Sequence, residues 1–277
     1  MSARVLESSG EEVTDNGIDD WSAVRVAGSL LAAERSRTAR TSIQHEWPGL
    51  SLDVAYAAQD IALADRRSRG ETVTGIKLGL TSRAKQKQMG VDEPSVAWLT
   101  DAMALPAGLP VPRERLIHPR AEPEIAFVLG RPLAGPGVTA ATALAAVDHA
   151  MAAIEIIDSR YSGFKFTLAD AVADNNSSGV YVTGPVIRDV ADVDFGLEAC
   201  LLEVDGDIVA TATGSAVLGH PAEALAFAAN TFGARGITLE AGWVVLTGGM
   251  TDAVPVEPGS RVAAHFTTLG SITVAGG

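Results

Sequence analysis

From about residue 120 onward the chain is cut into short β-type runs by Gly, Pro and Asp, and helical stretches interrupt those runs at irregular intervals. Glu124–Leu129, Ala153–Ile157, Val180–Thr183 and Trp243–Thr247 read as strands, and Val262–Phe266 with Ile272–Val274 end the chain in the same way. Leu201–Val204 and Ile208–Thr211 flank Asp205-Gly206, a pair that accepts the positive φ angles of a tight hairpin turn. Helices are expected at Ala140–Met151 and at Pro221–Phe232, the second with proline in its first turn. Strands that do not alternate regularly with helices argue for an α+β fold rather than a doubly wound sheet.

Upstream the pattern is helical. Asp20 is placed to cap a helix carrying Val24, Val26, Leu30 and Leu31 and running to about Arg37. A second helix opens at Ser51, turns Leu52, Ala55, Tyr56 and Leu63 inward, and stops at Gly70. Val73–Leu80 reads as extended, and Ser82–Met89 as a short basic helix closed by Gly90. Residues 1–19 are polar, acidic and rich in Ser and Gly, the composition of a flexible tail. The expected organisation is that tail, a small helical N-terminal region over 20–72, and one larger domain over 73–277.

Composition narrows the function classes. Aromatic residues make up 5% of the chain, so the core must rest on Ala, Val, Leu and Ile. Against 34 acidic residues stand 21 basic ones, a net charge of −13 that repels phosphate backbones and anionic lipid surfaces. Neither nucleic acid nor membrane is an expected partner. An anionic substrate would need a locally positive site, supplied by a metal ion or a buried lysine. Cys200, the single cysteine, excludes an intrachain disulfide, and its apolar neighbours mark it as a buried small hydrophobe. With no apolar leader core and no membrane-length run, a soluble cytoplasmic protein is expected.

The most informative stretch is Ile117-His118-Pro119-Arg120-Ala121-Glu122-Pro123-Glu124-Ile125. Residues two apart on a strand share a face, so Glu122 and Glu124 present their carboxylates side by side. Their repulsion calls for a cation or a shared proton, unless the strand end is simply solvated. Glu155 interrupts the apolar run Ala153–Ile157, where a buried carboxylate needs a salt-bridge partner or a metal. Three such carboxylates with open positions would suit Mg2+ or Mn2+. Zinc is disfavoured, because His45, His118, His149, His220 and His265 are scattered and no Cys or His ligand set is closely spaced.

Lys77 lies in the Gly-spaced strand Thr74–Leu80, where it either snorkels to solvent or points its ammonium into a pocket, the glycines allowing close approach to a ligand. Asp174–Gly179 and Thr247-Gly248-Gly249 are polar, Gly-containing loops that read equally well as plain turns. None of these segments matches a phosphate loop or a dinucleotide fingerprint.

Together, GIKLGLTSRA (75–84), GVDEP (90–94), EPEIAFVLGR (122–131), IEIIDSR (154–160), ADNNSSG (173–179) and LGHP (218–221) resemble the hydratase/decarboxylase branch of the fumarylacetoacetate hydrolase superfamily, from about Ala23 to the C-terminus. Ile117–Phe127 and Ile156–Asp170 look most like the decarboxylases of that branch, whereas its hydratases tend to lack the histidine and to read W-K-I at Phe164-Lys165-Phe166. Ser95–Leu99 departs from the pattern, which there carries a bulkier aromatic or a glycine, and bears on the distal end of the substrate.

The resemblance implies an α+β fold with a mixed, rolled β-sheet core and flanking helices, the catalytic domain covering 73–277. It implies that Glu122, Glu124 and Glu155 bind Mg2+ or Mn2+, with Lys77, Glu122 and Glu124 catalytic. Lys77 and the Ser177/Ser178 loop would contact the substrate, a small 2-oxo acid dianion; Leu78 and Thr247 are further candidate contacts, and, on the chemistry of the reaction, His118, Arg120, Arg160 and Lys165 are candidates to hold or read its distal carboxylate. The implied reaction is metal-dependent decarboxylation of 2-oxohex-3-enedioate to 2-hydroxypenta-2,4-dienoate in meta-cleavage catabolism of aromatic compounds. The alternatives are hydration of 2-hydroxypenta-2,4-dienoate or of 2-oxohept-4-ene-1,7-dioate, a non-catalytic subunit partnering the hydratase, and, more remotely, acylpyruvate hydrolysis. A homo-oligomer, or a complex with the hydratase, is expected.

Overall fold

A computed structural model describes residues 21–277, so the expected tail and Asp20 lie outside the described residues. The helices are α1 (Ala23–Ser36), α2 (Ile43–Glu46), α3 (Leu52–Ser68), α4 (Arg83–Met89), α5 (Ala140–Leu144), α6 (Leu168–Ala173) and α7 (Pro221–Ala234). The strands are β1 (Val73–Gly79), β2 (Ser95–Thr100), β3 (Arg120–Leu129), β4 (Val147–Ile157), β5 (Ser178–Thr183) and β6 (Arg188–Asp189). They continue with β7 (Ala199–Val204), β8 (Asp207–Thr213), β9 (Val244–Leu246), β10 (Val254–Pro255), β11 (Arg261–Phe266) and β12 (Ser271–Ala275).

The strands make two sheets. A large curled sheet runs β2-β1-β9-β3-β4-β5, with β10 also on β3 and β6 also on β4. It is mixed, because β1 and β9 are parallel while the other pairs are antiparallel. A smaller antiparallel sheet runs β12-β11-β7-β8, its β7–β8 hairpin turning at Asp205-Gly206 as the dipeptide predicts. The α+β reading therefore holds.

The main core joins the large sheet to α7 and the small sheet. Phe127 meets Phe195 edge-on at 5.0 Å, and Trp98 packs on Phe232 at 4.7 Å. Small residues fill the rest; α7 alone buries Ala222, Ala224, Ala226, Ala228 and Ala229. A second cluster joins α1 and α3 to α6 through Val26, Leu30, Ile43, Ala55 and Val172. Buried Gln59 of α3 donates to the carbonyls of Val96 and Val172 at 3.1 and 2.9 Å, tying the N-terminal helices to the cavity wall. Among the described residues no helix is long and apolar enough to cross a membrane.

Three local expectations need correction, and one segment without an expected element proves to be a strand. The helix expected over Ala140–Met151 stops at Leu144, because Val147–Met151 pair in register with Ala126–Leu129 of β3. The side chain of Ser22 caps α1. Leu52, expected inward, is 43% exposed on the first turn of α3, although that helix opens at Ser51 as expected, with the Ser51 side chain as its cap. Ser95–Leu99 belongs to β2, whose residues are all buried. A strand covered on both faces shows no alternation to reveal it.

Candidate metal centre and active-site cavity

The register of β3 against β4 places Glu122 directly opposite Glu155. Glu124 follows two residues along the same face, and ligand atoms of the three carboxylates lie within 4.8 Å of one another. Pro123 between them costs the sheet no hydrogen bond. Its carbonyl accepts from Met250 N at 2.9 Å, on the edge where β9 has ended and β10 has not begun, so its missing N–H faces a gap. Through that gap the loop after β9 reaches both carboxylates. Gly248 N donates to Glu124 Oε2 at 2.7 Å, and a Cβ on Gly249 would stand 2.7 Å from Glu122 Oε2.

Glu124 and Glu155 are buried. Glu124 Oε1 and Glu155 Oε2 accept no hydrogen bond among the described residues. Lys77 Nζ stands 2.8 Å from Glu155 Oε1 as an ion pair and donates to Asn176 O at 2.9 Å. Burial, then the charge of Glu155, drives the Glu124 carboxyl well above its ordinary range, with Lys77 opposing. Burial raises Glu155 as well, again against the pull of Lys77. At the rim, Lys85 Nζ lies 3.5 Å from Glu122 Oε1 and 3.4 Å from Asp252 Oδ1. Burial weakens the Lys85 ammonium, yet the charges of Glu122 and Asp252 outweigh it and raise its pKa.

These residues fit a divalent cation. Buried carboxylate oxygens without donors are costly unless a cation takes them, and an all-oxygen set matches Mg2+ or Mn2+ better than zinc. The salt-bridge alternative for Glu155 also holds, since Lys77 pairs with it; Lys77 and the rim Lys85, which Glu122 shares with Asp252, still leave the three carboxylates in excess.

Lys77 is buried, so it does not snorkel. The glycine before it has a different cause from the one expected, while Gly79 after it does line the cavity. A Cβ on Gly75 would lie 2.0 Å from Val244 O, so that glycine admits the neighbouring strand β9 and not a ligand. Asn175, Asn176 and Ser177 all take positive φ, a conformation that asparagine tolerates better than most residues. The Asn175 amide pairs with the N and O of Trp98, both at 2.9 Å, as an extra strand would. Ser95 Oγ donates to Asn176 Oδ1 at 2.9 Å. What reads as a plain turn is a clamp that presents the Asn176 carbonyl to Lys77.

A cavity of about 580 Å3 opens beside the triad, walled by Lys77, Leu78, Glu122, Ser177, Arg120 and Lys165 among others. Four of the expected substrate contacts lie off this wall. Buried Arg160 is consumed by structure: it pairs with the Asp174 carboxylate and donates to the carbonyls of Asp174 and, at 3.0 Å, Ser178. Thr247 Oγ1 donates to Ile125 O at 2.8 Å, and Ser178 Oγ to Asn175 O at 2.7 Å. The His118 ring packs on Phe164 at 4.8 Å, one layer behind the wall. Conversely, Lys85, Phe164, Asn176, Gly249 and Asp252 line the cavity although none was expected as a ligand or substrate contact. The Gly248-Gly249 pair after a buried strand was the one available signal.

The family profile described as "Fumarylacetoacetate (FAA) hydrolase C-terminal" matches residues 72–275. A 4-oxalocrotonate decarboxylase of Pseudomonas sp. (strain CF600) is 41% identical over 231 residues, 83% of this chain and 88% of that protein. A 2-keto-4-pentenoate hydratase of Burkholderia vietnamiensis is 40% identical over 256 residues, 92% of this chain and 97% of its own. The solved 4-oxalocrotonate decarboxylase from Pseudomonas putida G7, complexed with magnesium and adipate, superposes with a TM-score of 0.88 at 36% identity, covering 91% of this chain and 96% of that one. With the profile spanning most of its length and such relatives along nearly all of it, the chain belongs to the fumarylacetoacetate hydrolase family.

Proposed function

We propose that this chain is a divalent-metal-dependent carboxy-lyase that converts 2-oxohex-3-enedioate to 2-hydroxypenta-2,4-dienoate and CO2, a step of aromatic meta-cleavage catabolism. The observation that carries the reading is the convergence of Glu122, Glu124 and Glu155 with Lys77 beside a cation-walled cavity. The 4-oxalocrotonate decarboxylases named above support the choice of substrate.

In this substrate the C6 carboxylate sits on a carbon conjugated through the C3–C4 alkene to the C2 carbonyl. Breaking the C5–C6 bond releases C6 as CO2 and sends the electron pair through that system to the carbonyl oxygen, and the dienolate so formed takes one proton from water to give 2-hydroxypenta-2,4-dienoate. Mg2+ or Mn2+ held by the three glutamates would supply Lewis-acid stabilisation of the charge arriving there. Lys77 has three donors, of which Glu155 and the Asn176 carbonyl engage two. The third is available to the 2-oxo acid end of a substrate in the cavity. Leu78 and Ser177 shape the wall around that end.

A second reading is favoured by the hydratase relative, which this chain matches over a larger share of both lengths: a hydratase would add water to the same dienol. The test supplies purified protein with Mg2+ and 2-oxohex-3-enedioate and follows CO2 and product by mass. Stoichiometric CO2 with accumulating 2-hydroxypenta-2,4-dienoate is expected. Absence of CO2, with hydration of added 2-hydroxypenta-2,4-dienoate, would move the chain to the hydratases. Silence in both assays would leave the role of a subunit supporting a hydratase.

A further inference from the structure

The cavity wall carries more positive charge than the triad uses, and the cations are not equivalent. Lys77 is held by Glu155, and Lys85 by Glu122 and Asp252. Lys165 is exposed on a flexible stem. Arg120 differs from all three. It is half-buried, and among the described residues its guanidinium makes no ion pair or hydrogen bond; it lies over the Phe164 ring, 4.3 Å from the centroid. Phe164 is held there at φ 56, directly after Gly163 at φ 62, and its ring also packs on His118. A bulky residue in the left-handed region is costly, and such strain persists where the surroundings fix it. An aromatic face supports a guanidinium without neutralising it, leaving the N–H edge free for an anion.

The spacing gives the anion its place. Arg120 and Glu122 both line the cavity from β3, two residues apart, a step of about 6.8 Å along a strand. Five C–C bonds of about 1.5 Å in a zigzag span about 6 Å. A 2-oxo acid whose first two carbons lie at the Glu122 end therefore brings a C6 carboxylate level with Arg120.

We infer that Arg120, laid on Phe164, is the specificity-determining residue that reads the second carboxylate, with β3 acting as a ruler for six-carbon 2-oxo dicarboxylates. The inference rests on the 2-oxo acid reading proposed above. Arginine on a ring face also suits a carboxylate that must lose its charge during the reaction, since binding it more tightly in the ground state would raise the barrier.

The test measures, by calorimetry with Mg2+ present, the binding of unreactive 2-oxoadipate and of its monoacid counterpart 2-oxohexanoate to the wild-type protein and to Arg120→Met. Wild type should prefer the diacid by about tenfold or more, the contribution of a charge-assisted contact. In Arg120→Met the preference should collapse to within about threefold while the monoacid binds as before, which also shows that the variant is folded. Across 2-oxoglutarate, 2-oxoadipate and 2-oxopimelate, wild type should favour the six-carbon acid and Arg120→Met should not. Phe164→Leu should lose part of the diacid preference. A diacid preference that survives in Arg120→Met overturns the inference and leaves the 2-oxo acid reading intact. Failure of wild type to bind either acid would sink that reading and the inference with it.

Discussion

At the residue scale, a single methyl group tests how tightly Glu122 is held. Gly249 presses its backbone against that carboxylate, so that a Cβ would stand 2.7 Å from Oε2. Gly249→Ala should displace Glu122 and weaken Mg2+ binding by about tenfold, or about 1.4 kcal/mol, in a calorimetric titration. Because the clash is with the end of a side chain, the thermal midpoint of the metal-free protein should hardly move. Lys77 is the opposite case, since truncating it leaves a buried charge without a partner. Lys77→Met should abolish turnover and cost about 3–5 kcal/mol in urea unfolding, the usual range for a broken buried pair. Lys77→Met combined with Glu155→Gln should recover part of that stability while staying inactive. A double variant no more stable than the single one would mean that Lys77 is not there to balance Glu155. Glu155 and Lys77 stood out because charge in an apolar run is expensive, and Glu122 with Glu124 because residues two apart on a strand share a face. Arg160, expected at the distal end of the substrate, instead braces the loop carrying Asn176.

At the scale of elements, what could be read depended on how local the determinant was. The Asp205-Gly206 hairpin, the helix starts at Ser51 and Ser82 and the Gly90 stop lie within a few residues of what they control, and all appear as expected. The end of α5 does not, because an Ala-rich segment serves helix or strand, and β3 decides by pairing with Val147–Met151. Nor does the pairing of Glu122 with Glu155, since register is a property of two strands and neither states it alone. The Asn175 clamp joins β2 to the loop after α6 across 77 residues of sequence. Asn175→Ala would leave the N–H and C=O of Trp98 without these partners, a loss of about 1–3 kcal/mol. Turnover should fall further than this stability loss explains, because the same loop presents the Asn176 carbonyl to Lys77. Equilibrium unfolding and kcat measured on the same variant check both halves.

For the molecule as a whole, burial of the carboxylates ties stability, metal and pH together. Burial raises Glu124 and Glu155 in the folded chain above their unfolded values. The metal-free fold therefore binds protons there more tightly than the unfolded chain does. Their contribution is fully present below the unfolded glutamate pKa, about 4.3, and is lost as pH rises through the raised folded values. The metal-free protein should accordingly lose stability from this pair across that interval. A divalent cation needs both groups deprotonated, so it competes with the protons and binds more strongly as pH rises. At a concentration about 100 times its Kd it stabilises the fold by about 2.7 kcal/mol. In a chain of this size that corresponds to a rise in thermal midpoint of roughly 5–10 °C. The increment from Mg2+ over a chelator control should therefore grow steadily from pH 5 to pH 8. In Glu124→Gln, which keeps only the Glu155 proton to release, it should be smaller and rise less steeply with pH. An increment that stays constant with pH in the wild-type protein would mean that the cation binds somewhere other than these buried carboxylates. The chain carries a net charge of −13, so weak, exposed sites for cations are available, and the pH slope rather than the size of the shift distinguishes the triad from them.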